Sequence, residues 1–347
     1  MKERKPLLSI MRFFIYTPQT AHGIIVIVEN LVAAFQRKGV ECRHIKSLNG
    51  VNKDDVIIPY GVKESNEVIQ CGFTPFVAFM ADAITLGYKN KIRFYLKHVH
   101  LLHYDFFYSL YGYLKYKGQE KNVARNFENA IFVSQSDINY MEENYANSPC
   151  RYLCVANGAP NESLFLNHSY TSHLRIGLLS SWVTKQTFEE SNWFVREYWK
   201  KYTKRHPDDV LYIAGRGSLS KRFKGLQGVE VLGEINDLGD FFANIDVSLV
   251  LCPKGCGILN RVLDSFMYKV PVVGYESSFS GFPNSDDISY KFTSYWSFER
   301  IMESIINNRG QLLKTAEMAY AYAKKFHNWE KNYDELVSQL LALYDKR

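Results

Sequence analysis

The sequence predicts an α/β protein made of two domains of parallel strands and covering helices. Three observations predict it. Short apolar runs of strand length alternate with longer runs whose apolar residues recur at helical spacing. The alternation starts afresh near residue 174 with the same rhythm. And 347 residues exceed one ordinary domain but suit two of about 150–180 residues each.

In the first run, residues 13–16 read as a short buried strand and 17–23 as a turn-rich loop, TPQTAHG. An apolar helix follows at 24–38 and is closed by Gly39 just past its end. Strands are expected at 40–44, 56–59, 75–80 and 129–133; Ser134 is then placed to cap a helix at 137–145. In the second run, strands are expected at 174–179, 210–214, 229–232, 247–251 and 270–274. Helices are expected at 189–202, rich in Trp and Tyr, and at 263–268. Between the runs, 157–171 is polar and turn-rich and reads as a linker. The last helix, 329–344, carries Trp329, Tyr333, Leu336 and Leu340 at helical spacing, so it must pack on one domain or the other.

Composition narrows the function classes. Apolar residues at 46% and charged residues at 22% are globular averages, which excludes disorder and fibrous repeats. No eighteen consecutive apolar residues occur, so no membrane-spanning helix is expected. Lys2, Arg4 and Lys5 precede a short apolar stretch with no small-residue cleavage site, and a cytoplasmic protein is expected. The six cysteines are too sparse for a disulfide scaffold. The pairs Cys150/Cys154 and Cys252/Cys256 abut apolar runs and lack a histidine at ligand spacing, so no metal site is expected. A net charge of +6 suits anionic small molecules, nucleic acid or a membrane surface. Neither an RNA-binding sheet nor a helix-turn-helix pattern is present, and nucleic acid is not an expected partner.

In parallel sheets ligands bind beyond the carboxyl ends of strands, where loops meet helix N-termini. That rule selects the loops at 17–23, after Met80, and at 180–187, 215–218, 233–236 and 253–260. The most informative stretch is KGCGILNRVLDSFMYKVPVVG, residues 254–274. Gly255 and Gly257 allow close backbone approach to a phosphate, and Arg261 and Asp264 follow three apart on one helical face. An arginine fork matches a diphosphate and a carboxylate matches the hydroxyl pair of a ribose; an ordinary surface ion pair is the alternative.

This stretch resembles the donor-binding motif of the GT-B retaining glycosyltransferases, group 1 and family 4-like, in which a glycine-rich turn, a helix and a Pro-Val-Val strand follow in that order. Loose similarity extends over most of the chain. Residues 17–39 resemble the family's first loop and helix, including Gly23, and 130–145 with Asn157-Gly158 its strand, serine, helix and Asn-Gly sequence. Residues 176–185 resemble the first strand and basic loop of the second domain, carrying Ser180 and Lys185. Leu211 to Gly217 resembles the strand that ends in a glycine turn, with Gly215 and Arg216, and Leu232-Gly233-Glu234-Ile235 the loop bordering the nucleotide base.

The resemblance implies two Rossmann-like parallel-sheet domains facing across a cleft. They would be an acceptor domain at 1–165, a nucleotide-sugar donor domain at 166–327, and a C-terminal helix at 328–347 that crosses back to the first domain. It implies retaining transfer from a nucleoside-diphosphate sugar to a glycan or lipid-linked acceptor, with no cofactor and no metal, in cell-surface polysaccharide synthesis. Lys185 and Arg261 would hold the leaving diphosphate, Asp264 the ribose, and Gly257 the turn against the phosphate. Asp82 stands where several relatives place a histidine or acidic residue near the reacting carbon; capping the next helix is its other reading. One departure is visible. The acidic residue that many members carry before or within the glycine turn falls here on Lys254 or Cys256. A non-catalytic relative that binds nucleotide or glycan beside a partner enzyme is the alternative.

Residues 88–121 interleave aromatic and basic side chains. They suit either core helices or helices lying on an anionic membrane surface, with the protein then peripheral on its inner face.

Overall fold

The structure, a computed structural model, describes residues 12–99, 103–160 and 172–347. The basic start of the chain and most of the expected linker lie outside those residues.

The first run comprises β1 (Arg12–Tyr16), α1 (His22–Arg37), β2 (Glu41–Ile45), β3 (Val56–Pro59), α2 (Val62–Gln70), β4 (Val77–Ala81), α3 (Ile84–His98), α4 (Tyr104–Asn126), β5 (Asn129–Phe132), α5 (Gln135–Asn144) and β6 (Arg151–Cys154). All pairings are parallel, in the orders β2-β1-β3 and β4-β5-β6, and a parallel bridge between Tyr60 and Phe79 joins the two groups. Every residue of β3 and β5 is buried, as expected of parallel strands covered on both faces. α1 buries Ile27, Val28, Leu31, Ala34 and Phe35 along one stripe. Gly39, at φ +73°, ends it: its N–H donates to Gln36 and that of Val40 to Phe35, which satisfies two terminal carbonyls. Ser134 caps α5 by accepting from the Asp137 N–H at 3.2 Å, and the helix begins at once, at Gln135.

The second run comprises β7 (Arg175–Leu179), α6 (Lys185–Phe194), α7 (Lys200–Tyr202), β8 (Val210–Ala214), β9 (Val229–Gly233), α8 (Leu238–Ala243), β10 (Val247–Val250), α9 (Asn260–Met267), β11 (Val272–Tyr275), β12 (Tyr290–Phe292), α10 (Tyr295–Asn307) and α11 (Arg309–Phe326). Its strands form one parallel sheet in the order β12-β11-β10-β7-β8-β9. The helix expected at 189–202 starts earlier because Thr184 caps it, and a wide π turn at Val195–Trp199 joins α6 to α7 while burying Trp199. α9 likewise starts at Asn260, ahead of the expected 263. The chain ends in α12 (Trp329–Tyr344).

The chain divides into two compact units: Met1–Lys89, Leu110–Gly158 and His327–Arg347, and Asn90–Ser109 with Ala159–Phe326. The second unit thus takes in a stretch that lies inside the expected acceptor domain. Packing is the reason. Phe94 meets Trp193 edge-on at 5.7 Å, and the Asn90 side chain donates to the Lys254 carbonyl at 3.1 Å.

In the first unit, α12 lies on α1, with Arg37 paired to Asp334 at 2.7 Å and Tyr333, Leu336, Val337 and Leu340 buried. The Trp329 ring fits against Gly158 so closely that a Cβ there would lie 2.1 Å from it. Gly158→Ala should therefore lower unfolding free energy by about 1–3 kcal/mol, the usual cost of overpacking. Gly118→Ala, on α4 with open space around it, should instead stabilise by about 0.5–1 kcal/mol. Denaturant titration of both variants checks the pair, and equal midpoints would contradict the packing at Trp329.

Candidate functional site

In the sheet of the second unit, chain order runs one way through β7, β8 and β9 and the other way through β10, β11 and β12. The loops leaving β7 and β10 must therefore diverge, and such a reversal opens a crevice at the carboxyl ends of the two strands. The loop after β7 carries Ser180; the loop after β10 carries Gly255 at φ +58° and Gly257 at φ +67° before α9 begins. Gly257 is buried, and its carbonyl oxygen would lie 2.2 Å from a Cβ placed on Gly281, so this turn is tightly held.

Arg261, in the first turn of α9, donates from Nη1 to Ser180 Oγ at 2.9 Å. That bond ties together the two loops flanking the reversal. The Arg261 Nε is buried without a hydrogen-bond partner. Asp264, one turn on, is half-buried, and burial pushes its carboxyl up to about 7.

The electrostatics extend to residues that the sequence did not single out. Glu190 on α6 is buried, and desolvation pushes it up to about 7 against the attraction of Lys91 and Arg261. Lys91 on α3 is lowered by the same desolvation, with Glu190 opposing. Lys254 acts on both. Three cations thus converge on one buried carboxyl that is only partly ionised near neutral pH. The excess is positive, which suits an anionic ligand.

The other expected residues divide between the units. Gly215 sits beside Ser180 at φ +121°, where a Cβ would fall 1.9 Å from the Ser180 carbonyl oxygen; glycine is required there. Arg216 accepts the Trp182 N–H on its carbonyl at 2.7 Å and leaves its side chain exposed. Lys185 opens α6, exposed, with its Nζ 5.8 Å from the Tyr104 ring centroid. Ile235 is half-buried against the small core around Phe241 and Phe242.

Gly23 and Asp82 belong to the first unit. Gly23 is exposed in the first turn of α1. Asp82 is half-buried and follows Ala81, which holds φ +62° where the β4 ladder slips against β5. The start of α3 is held by Asp137, which accepts from the Ala83 N–H at 2.9 Å, and by Glu120, which accepts from the Thr85 N–H at 3.0 Å. Away from both places, His206, Glu299 and Glu303 bring ligand atoms within 4.8 Å of one another, but Arg205 and Tyr295 already engage Glu299.

Neither a protein-family model nor a curated protein matches the sequence. Solved structures do match. Sucrose-phosphate synthase from Thermosynechococcus elongatus superimposes with a TM-score of 0.71 at 10% identity, over 97% of this chain and all of that one. HepE from Anabaena, solved with UDP, gives 0.57 at 12% identity over 96% of this chain and 100% of that one. A trehalose-6-phosphate synthase studied for glycosyltransfer with retention gives 0.57 at 10% identity, over 93% of this chain and 80% of that one. The chain has the GT-B fold. In GT-B terms the crevice belongs to the second Rossmann-like domain, and its strand order is that of a dinucleotide-binding sheet. Glu190 has one sequence signal in hindsight: it falls on the inward stripe of α6, four residues before the buried Phe194.

Because folding raises the Asp264 carboxyl from its ordinary 3.8 to about 7, the folded state holds a proton that the unfolded chain releases between those values. This contribution is full below the lower value and is lost as pH rises through the upper one. Asp264→Asn should therefore gain stability relative to the parent at about pH 8 and not at about pH 4. Urea titrations at the two pH values measure it; an identical difference at both would show that Asp264 is not desolvated.

Proposed function

We propose that the chain moves a sugar from a nucleoside-diphosphate sugar to a glycan or lipid-linked acceptor, with retention at the anomeric carbon and without a metal. The observation that carries this reading is the Arg261–Ser180 bond across the strand-order reversal, backed by Lys91 and Lys254 around Glu190. The fold shared with enzymes of this chemistry, one of them solved with UDP, supports it.

The chemistry asks for that charge. As the glycosidic bond to the diphosphate breaks, negative charge grows on the phosphate while the sugar gains oxocarbenium character. Fixed cations in a crevice stabilise the separation with no rearrangement at the moment of reaction. Arg261 and Lys185 hold the diphosphate; Gly257 and Gly215 keep backbone close to it. Asp264 takes the ribose hydroxyls, Ile235 and Arg216 border the nucleotide, Gly23 contacts the nucleotide sugar, and Asp82 orients the acceptor hydroxyl. Retention follows the trehalose-6-phosphate synthase analogy. Cell-surface polysaccharide synthesis is the setting we propose. The residues at the position of the family acid, Lys254 or Cys256, are the observation on the side of the alternative, a chain that binds nucleotide beside a partner enzyme.

Nucleoside-diphosphate release with a panel of donor sugars and acceptors tests the reading. Release that requires acceptor is expected; thermal stabilisation by nucleotide with no release under any pairing would favour the non-catalytic alternative. Arg261→Ala should lower kcat by about 100-fold or more, the scale for losing one electrostatic stabiliser. Lys185→Ala should lower kcat more than it raises the acceptor KM, and an unchanged kcat in both variants, folded by circular dichroism, would remove the diphosphate assignment.

A further inference from the structure

The two sides of α4 differ in character. Its inward side buries Ser109, Gly112, Val123 and Ala124, together with the helix's two acidic residues, Asp105 and Glu120. Its outward side exposes Tyr104 (66%), Phe107, Tyr108, Tyr111 (64%) and Leu114 (64%). Those positions follow one another at i, i+3, i+4, i+7 and i+10, so they form a single stripe along the helix. Lys115, Lys121 and Arg125, all exposed, continue that stripe towards the C-terminus, and exposed Lys117 flanks it.

Along α3 and α4 the exposed charge has one sign. From residue 83 to 127 the only acids are Asp105 and Glu120, both buried, while Arg93, Lys97, Lys115, Lys117, Lys121 and Arg125 are exposed. A solvated helix would mix signs and bury its rings. Contiguous exposed aromatic surface on a globular protein marks a binding face, and here any partner must be anionic as well as apolar.

We propose that this face of α4 lies on an anionic lipid bilayer, with the rings in the headgroup layer and the lysines on the lipid phosphates. The stripe and its basic extension run over residues 104–125, roughly 30 Å of helix at 1.5 Å per residue, a length suited to lying in the interfacial plane. Tyrosine fits that depth because its ring is apolar and its hydroxyl stays wet. The Lys115 ammonium lies 5.9 Å from the Tyr111 ring and 5.5 Å from the Tyr116 ring, so charge and ring surface adjoin on this helix. Single-stranded nucleic acid is also anionic and stacks on aromatic rings, but exposed Leu114 within the stripe offers nothing to a base and inserts readily among acyl chains. The proposal goes beyond the transferase reading and does not depend on it.

The test is co-sedimentation of the full chain with phosphatidylserine–phosphatidylcholine vesicles and with pure phosphatidylcholine vesicles, at low and raised salt. Binding to the anionic vesicles that weakens with salt is expected, with little binding to the neutral ones. Lys115→Gln with Lys117→Gln should weaken it roughly 25-fold, about fivefold for each charge removed. Phe107→Ser with Leu114→Ser should weaken it too with at most a few degrees' loss in melting temperature, because more than half of each side chain is exposed. No sedimentation at low salt would overturn the proposal. So would vesicle binding untouched by the Phe107/Leu114 variant, tighter binding to a single-stranded oligonucleotide, or a dimer in solution that this variant dissolves.

Discussion

One contact organises the second unit: the Arg261 guanidinium on Ser180, across the place where strand order reverses. The reversal makes the crevice a consequence of topology, since loops leaving β7 and β10 have no common strand to follow. Arg261 spans the two loops with one N–H and acts electrostatically on Glu190. A buried arginine beside a fully ionised glutamate would be a compensated pair. Desolvation opposes the ionisation of Glu190, so its carboxyl offsets the cations around it less than an exposed carboxylate would.

Backbone geometry supports the same place. Gly215, Gly255 and Gly257 all take positive φ, and two of these turns press against other backbone, Gly215 on Ser180 and Gly257 against Gly281. A side chain at 215 would push Ser180 away and with it the acceptor of the Arg261 bond. These glycines therefore fix the distance between the loops rather than merely permitting a turn. In the first unit Ala81 adopts a similar conformation without being glycine, immediately before Asp82. That is where a strained backbone and a functional candidate coincide.

The sequence made the strands legible because parallel strands are buried on both faces and read as uninterrupted apolar runs, as in VIIP and VAFMA. Gly39 and Ser134 were legible because a helix end requires a specific local chemistry. α10 and α11 were not, since their buried residues are spaced among charges and become a stripe only once the neighbouring helix is known. β12, three residues long, gives no period at all. The same limit applies to the site. Gly257, Arg261 and Asp264 stood out through a local motif, whereas Glu190 and Lys91 lie inside helices at positions that ordinarily read as core or surface. Their proximity is a property of packing between segments roughly a hundred residues apart, and no local pattern encodes it.

The aromatic and basic stretch shows how one composition can serve two environments. Tyr95 is fully buried and stacks on His103 at 5.4 Å, and Phe94 packs on Trp193, so the first part of the stretch builds the second unit. A few residues later Tyr104 and Tyr111 stand in solvent. Aromatic content alone could not separate these outcomes; the acids do. Glu120 is spent inside, accepting from Thr85 at the start of α3, and burial pushes it up to about 7, so even there it is partly neutral. Asp105 is buried beside His103 at 3.4 Å. With both carboxylates withdrawn from the surface, the exposed side of α4 presents aromatic rings and positive charge together. Both buried carboxylates are engaged within the protein, Glu120 by the start of α3 and Asp105 by His103, and what they leave on the exposed side of the helix is aromatic and basic.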